Sequence, residues 1–235
     1  VLLHGIGANG AVWEPMKPVL EVEWPGRWLI VDLRGHGRSS HRTPYGIGNH
    51  AADVAALLKQ DEEVIILGHS LGGIIALALA SQMFGVTVQR AIAFSVKPDW
   101  TEDDRIKGDA LARTPSRPFD TREQAIDRYL RVAGLKGLVH PGSAAAATGI
   151  VEVDGKFRLA ADPKVFSFGR PNLDSIARAV CAPVHLLCGD NDSMTSPQAM
   201  RRLGGDVTTL RSLGHNVHVE APRALWNAIA DHLGR

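Results

Sequence analysis

Val64-Ile65-Ile66-Leu67-Gly68-His69-Ser70-Leu71-Gly72-Gly73 is the stretch whose reading decides the fold. Four aliphatic residues read as a strand, and Leu71 opens an apolar run of helix length. A strand that turns at once into a helix forces the residue between them, Ser70, into a strained, exposed elbow. Gly68 and Gly72 supply room where a side chain would collide with neighbouring backbone. The amide of Leu71 then stands at a helix N-terminus, aimed at any negative charge that develops near the Ser70 oxygen. Ser70 is a candidate nucleophile and the Leu71 amide a candidate oxyanion donor.

Working outward, short β-rich runs alternate with amphipathic runs, the pattern of an α/β protein with a mostly parallel sheet. Expected strands are Val1 to Leu3, Trp28 to Val31, Val64 to Leu67, Ala91 to Phe94, Val184 to Cys188 and Val207 to Leu210. Expected helices cover about 12 to 20, 48 to 60, 71 to 84 and 222 to 233. Pro222 suits the first turn of the last helix, and Leu225, Trp226, Ile229 and Leu233 form its apolar face.

The alternation breaks after Phe94. Lys97 to Arg170 holds 24 of the 51 charged residues, which marks it as a peripheral insertion and not as more central sheet. The domain reading is therefore a core of residues 1–96 and 171–235 with a mainly helical cap at 97–170. Within the cap, Thr121 to Gln124 is a capping box, and Ile126, Tyr129, Leu130 and Ala133 form a stripe ended by Gly134. Val151 to Leu159, with Asp154-Gly155 at its centre, reads as a hairpin.

Composition narrows the function. The 235 residues, 45% hydrophobic and 22% charged, fit one well-cored domain with an inserted part. With 26 Lys and Arg against 25 Asp and Glu, the net charge of +1 lacks the footprint of a nucleic-acid or membrane-surface binder. A small, weakly charged substrate fits better, on a monomer or homodimer. No stretch approaches the 18 apolar residues of a membrane span, and with no basic segment followed by an apolar run at the front, no signal peptide is expected. Cys181 and Cys188 read as a reduced pair, which favours a cytoplasmic home. The chain opens in mid-strand at Val1 without a methionine, so residues are expected to be missing before it.

A serine nucleophile needs a base with an orienting acid and a second oxyanion donor. His4-Gly5-Ile6-Gly7 ends the first strand, and its loop reaches the top of the sheet beside Ser70, with the Ile6 amide as the chosen donor. His4 itself reads as support for that loop, because no cluster with metal-ligand spacing accompanies it. Asp190 and Asp192 follow the strand ending at Cys188, and Gly214-His215 follows the strand ending at Leu210. Both loops lie at strand C-terminal ends, where open α/β sheets build their sites.

These residues resemble the α/β-hydrolase superfamily, in its lidded, esterase-like branch, over essentially the whole chain outside 97–170. In that family the acid stands three residues after a glycine that ends a late strand, which implies Asp192 and not Asp190. The family's Gly-His pair and its following His, Glu and Pro match His215, His218, Glu220 and Pro222, and its Asp-Arg-Gly-His-Gly-Ser turn matches Asp32, Arg34, Gly35, His36, Gly37 and Ser39. His218 is read as support for the site and the Asp32 to Ser39 turn as structural, with its charges pairing locally. Asp99 sits where some relatives carry the acid. The resemblance further implies a cap inserted after the sixth family strand, and two initial family strands that are absent here, leaving an exposed edge.

The implied activity is hydrolysis of a small or medium carboxylic ester through an acyl-enzyme. Ser70, Asp192 and His215 form the triad, and Ile6 and Leu71 the oxyanion hole. No cofactor and no metal is called for. A carbon-carbon bond hydrolase, lactonase or thioesterase would use the same triad, and a non-catalytic receptor the same fold. Aspartate does not replace the elbow serine, which disfavours haloalkane dehalogenase and epoxide hydrolase chemistry. Trp100, Tyr129 and Phe166 of the cap are the candidates for substrate contact, with Phe119, Leu135, Phe157 and Phe168 as further apolar residues there.

Overall fold

A computed structural model describes residues 1–59, 61–169 and 171–233. All six expected strands form: β1 (Leu2–Leu3), β2 (Ile30–Val31), β3 (Glu63–His69), β4 (Thr87–Phe94), and, after the hairpin strands β5 (Ile150–Val153) and β6 (Lys156–Leu159), β7 (Val184–Gly189) and β8 (Val207–Leu210). They make one parallel sheet in the order β2-β1-β3-β4-β7-β8. Among the described residues β2 and β8 are its edges.

The alternation of side chains along each strand sorts the core into two layers. Leu3, Ile66, Ala91, Ala93, Leu186 and Cys188 face one way, towards α2 (Ile47–Ala55) and α3 (Leu71–Leu79). Leu2, Leu67, Ile92, Phe94 and Leu187 face the other, towards a 3₁₀ turn at Gly10–Met16 and the terminal helix Pro222–Ile229. The 3₁₀ turn runs into α1 (Lys17–Glu23). Every residue of α3 is buried, which is why its sequence is apolar on all sides and shows no stripe.

From β1 the chain moves outward to β2, and from β3 it moves the opposite way to β4. The loops after β1 and β3 therefore part at a topological switch point, and the register sets Leu3 beside Gly68 there. His4 to Gly7 and Ser70 are neighbours for this reason, although more than sixty positions separate them in sequence.

The insertion is richer in helix than its pattern suggests. The helix begun by Thr121 is α5 (Arg122–Val132), yet it is preceded by α4 (Glu102–Arg113) and followed by the short α6 (Ala144–Ala147). None of the residues of α4 is buried, so no apolar stripe marks it. It is held by a reciprocal capping box between Thr101 and Asp104 and by the pairs Glu102–Arg105 at 2.7 Å and Asp103–Lys107 at 2.6 Å. At Thr121 one half of the expected box is present, the Gln124 amide donating to the hydroxyl at 3.3 Å. The hairpin turns through Asp154 and Gly155, both at positive φ. Tyr45 donates to Asp162 at 2.6 Å and the Asp162 amide to the Gly35 carbonyl at 2.8 Å, fastening the insertion to the core. Its expected end at Arg170 lies outside the described residues. After it come α7 (Leu173–Ala179), α8 (Pro197–Met200), α9 (Val217–Glu220) and α10 (Pro222–Ile229). No helix among the described residues is long and apolar enough to cross a membrane. Cys181 is exposed and Cys188 buried, and both are free thiols.

Candidate active site

Ser70 sits between β3 and α3 with φ 51° and ψ −112°, the strained elbow expected of it. Its amide donates to the Phe94 carbonyl at 3.0 Å, and its carbonyl accepts from Gly73 and Ile74 as the helix begins. Close approach explains the flanking glycines. A methyl on Gly68 would come within 2.2 Å of the Gly72 carbonyl oxygen, and one on Gly72 within 2.3 Å of the Leu3 oxygen. Neither backbone could yield, so Ser70 keeps its conformation because the neighbouring chain leaves no alternative.

Asp192 and His215 meet across the ends of β7 and β8. His215 Nδ1 lies 3.0 Å from both carboxylate oxygens of Asp192, whose side chain is fully buried, while the His215 side chain keeps 19% of its exposure. Burial alone would raise the Asp192 carboxyl, but the bond from His215, the Met194 amide at 2.8 Å and the nearby Ser95 hydroxyl hold it below the usual carboxylate value. An ionised Asp192 selects the Nδ1–H tautomer of His215 and leaves Nε2 as an acceptor. Asp190 is directed elsewhere, to the Ser212 amide at 2.7 Å, and Asp99 pairs with Arg202.

His69 joins the two halves. Its Nε2 donates to the His215 carbonyl at 2.9 Å, and the two rings are 4.8 Å apart. Among the described residues no hydrogen bond runs from the Ser70 hydroxyl to His215. The loop bearing His215 is gripped by Glu220, which accepts from the Gly214 amide at 2.7 Å and the Asn216 amide at 2.9 Å, on either side of the histidine. His218 is wholly buried against His69 and Trp13, at 4.6 and 4.7 Å between rings, and burial pushes it down to about 3. It is thus a neutral packing residue beneath the site.

The amides of Ile6 and Leu71 donate to no protein acceptor among the described residues. The glycine loop that carries Ile6 is held by the Asp32 to Ser39 turn, whose charges the sequence expects to pair locally. Gly7 donates to His36 Nε2 at 3.1 Å, Gly10 to Asp32 at 2.7 Å, and Leu33 to His4 Nε2 at 2.9 Å. Asp32 also accepts from the Arg38 amide at 3.0 Å, so local pairing is half of its role. The pattern shows the turn but carries no sign of the loop that it reaches.

Of the three aromatics expected to contact substrate, Phe166 lies at the loop itself, where a methyl on Gly7 would come within 3.3 Å of its ring. Trp100 packs edge-on against Phe168, 5.0 Å between rings. Tyr129 is 3% exposed, covers the Gly149 backbone and belongs to the core layer that also holds Trp13, Leu67 and Phe94. That packing accounts for it without a ligand. Among the described residues no cluster of three or more His, Cys, Asp or Glu is placed to hold a metal ion. A groove of about 560 Å³, whose lining includes Trp24, Trp28 and Trp226, is at the opposite ends of the strands from Ser70.

Comparison with known proteins agrees with this architecture. Residues 1–228 match the model of a family described as the alpha/beta hydrolase family. The pimeloyl-[acyl-carrier protein] methyl ester esterase of Neisseria meningitidis serogroup A is 43% identical over 244 residues, 96% of this chain and 74% of that protein. The same-named esterase of Edwardsiella ictaluri is 33% identical over 140 residues, 57% of this chain, and the match spans about half of that relative's length, 52%. The magnesium-chelatase 30 kDa subunit of Rhodobacter capsulatus is 30% identical over 99% of this chain and 86% of its own. Among solved structures, E-2-(acetamidomethylene)succinate hydrolase superposes with a TM-score of 0.77 at 26% identity, covering 100% of this chain and 90% of that one.

Proposed function

For a chain that belongs to the alpha/beta hydrolase family, we propose the hydrolysis of carboxylic esters through an acyl-enzyme on Ser70, with His215 as base and Asp192 as its orienting acid. The observation that carries this reading is the Asp192–His215 contact at 3.0 Å on the sheet edge where Ser70 is held at φ 51°.

In the proposed cycle His215 Nε2 takes the hydroxyl proton as Ser70 Oγ attacks the ester carbonyl. The oxygen that gains charge is met by the Ile6 and Leu71 amides, the latter at the start of α3. Collapse expels the alcohol, which leaves with the proton held on His215. Water then attacks the acyl-enzyme, giving its proton to His215, and Ser70 departs with that proton as the acid is released. The bond from His215 Nδ1 to Asp192 keeps Nε2 free for both transfers. The hydrogen bond from Ser70 to His215 forms as substrate closes the site, since such catalytic bonds commonly take their working length only in the substrate complex.

Two relatives named as methyl ester esterases of an acyl-carrier-bound chain support a substrate with a small alcohol and a longer acyl part. The insertion, fastened over the loops by Tyr45–Asp162 and with Phe166 against Gly7, is read as the lid that fits the acyl part. One relative is named as a subunit of a magnesium chelatase and not as an esterase, and the second reading is a binding protein without turnover on the same fold. Fluorophosphonate labelling decides between them, assayed beside hydrolysis of p-nitrophenyl esters. The esterase reading expects Ser70 to be labelled and Ser70→Ala to lose nearly all turnover while still folding. An unlabelled Ser70 in folded protein, or more than a few per cent of activity in Ser70→Ala, would overturn it.

A further inference from the structure

The C-terminal turn of α5 touches both halves of the proposed machinery. Val132, the last residue of that helix, lies against the glycine loop, where a methyl on Gly7 would come within 3.1 Å of Val132 Cγ1 and 3.3 Å of its carbonyl oxygen. Two residues on, the Gly134 carbonyl accepts from Asn216 Nδ2 at 3.0 Å. Asn216 directly follows His215. Among the described residues this is the one side-chain hydrogen bond from the loop bearing His215 to the insertion.

Both ends of the link are stiff. Gly134, at φ 69°, closes α5 in a Schellman turn in which Leu135 donates to Leu130 at 2.7 Å and Gly134 to Arg131 at 3.3 Å. Its own carbonyl therefore lies outside the helix ladder and is available to Asn216. Leu135 is 1% exposed, which anchors the turn in the core. On the other side Asn216 is 4% exposed, its amide is bound by Glu220, and its carbonyl accepts from Val219 at 2.8 Å and Glu220 at 2.9 Å. A buried amide group so confined has few other geometries open to it.

We propose that Asn216 is a positioning residue, and that through its bond to Gly134 the end of α5 braces the His215 loop against the Ile6–Gly7 loop. The insertion then sets the geometry of the chemistry as well as the fit of the acyl chain. The inference rests on the Ser70 and His215 reading. A base displaced by about 1 Å loses on the order of a hundredfold in rate, and the loss falls on the reacting atoms and not on substrate affinity.

The test compares Asn216→Ala and Asn216→Asp, the second isosteric but unable to donate, with Thr148→Ala. Thr148→Ala removes a different tie between insertion and core, from Thr148 Oγ1 to Asn9 at 3.2 Å. Steady-state kinetics on a short and a long p-nitrophenyl ester are expected to show kcat down 10- to 100-fold in both Asn216 variants, equally for the two esters, with KM within about twofold. Thr148→Ala is expected to keep the wild-type kcat. Wild-type kcat in the Asn216 variants, a loss confined to KM, or an equal kcat loss in Thr148→Ala would each overturn the brace. If the Asn216 variants do not fold, Val132→Ala trims the other arm and carries the same expectation for kcat. Fluorophosphonate labelling of the wild type separates the outcomes, since an unlabelled Ser70 refutes the esterase reading itself, whereas a labelled Ser70 with unaffected Asn216 variants refutes only the brace.

Discussion

Acidification from pH 7 to 5.5 should cost this protein a large part of its stability, through histidines alone. His4, His36, His50, His69 and His218 are each 4% exposed or less. Burial is the main cause of their displacement. It holds His4 and His50 down to about 4 and His218 to about 3, and sets His36 and His69 well below their usual range. In the unfolded chain the same rings titrate near 6.5. Below that value the unfolded state binds protons that the folded state refuses, so stability falls with pH until the folded values are reached. Between pH 7 and 5.5 linkage assigns on the order of 1 kcal/mol to each of His4, His50 and His218, or roughly 3 to 4 kcal/mol together. His36 and His69 add to this in the same direction. A domain has on the order of 5–15 kcal/mol in total. The carboxylate of Asp192, held below its usual value, contributes stability that is lost only at lower pH and does not enter this window. Urea unfolding at pH 7.0 and 5.5 measures the effect, and a difference under about 1 kcal/mol would refute the neutral, buried state of these rings. His50 offers a sharper check, because neither of its ring nitrogens makes a hydrogen bond of good geometry among the described residues, and the Tyr45 backbone near the ring offsets its burial only in small part. His50→Leu should flatten the pH dependence by about 1 kcal/mol.

The proposed triad predicts that Asp192→Asn lowers kcat by about 10⁴, because it releases the tautomer of His215. Asp190→Asn should cost far less, since that carboxylate serves the Ser212 amide, and the reverse ranking in a kinetic assay would move the acid to Asp190. Gly72→Ala places a methyl 2.3 Å from the Leu3 oxygen, so a loss of roughly 3 kcal/mol or more is expected in urea titration, as for other overpacked sites. Wild-type stability would refute that close approach. Phe166→Ala should change the ranking among acyl chain lengths while leaving Ser70 reactive towards a fluorophosphonate, each lost contact being worth a few kcal/mol at most. An unchanged ranking would make Phe166 core alone.

The chemistry of the elbow was legible because it is local. Strand, glycine, serine, glycine and helix follow one another within ten residues, and the strain at Ser70 is a property of that short chain and its immediate neighbours. The six sheet strands were equally legible, since the branched and aliphatic runs that form them are continuous in sequence. Helix α4 was not, because it buries nothing and stands on capping and charge pairs, which leave no apolar period to read. Tyr129 was legible as part of a helical stripe but not in its surroundings, since only packing shows that its ring covers Gly149.

Tertiary structure alone decided which loops hold which. That His36 receives the Gly7 amide, that His69 bonds the carbonyl of His215, and that Asn216 reaches Gly134 are contacts across 29, 146 and 82 positions. Each depends on the order of strands in the sheet and on where the insertion folds back. A pattern along the chain encodes which faces are apolar and where the backbone must turn. The pairing of distant polar groups is fixed only once the parallel register has brought their loops to one edge, and that register is a property of the assembled core.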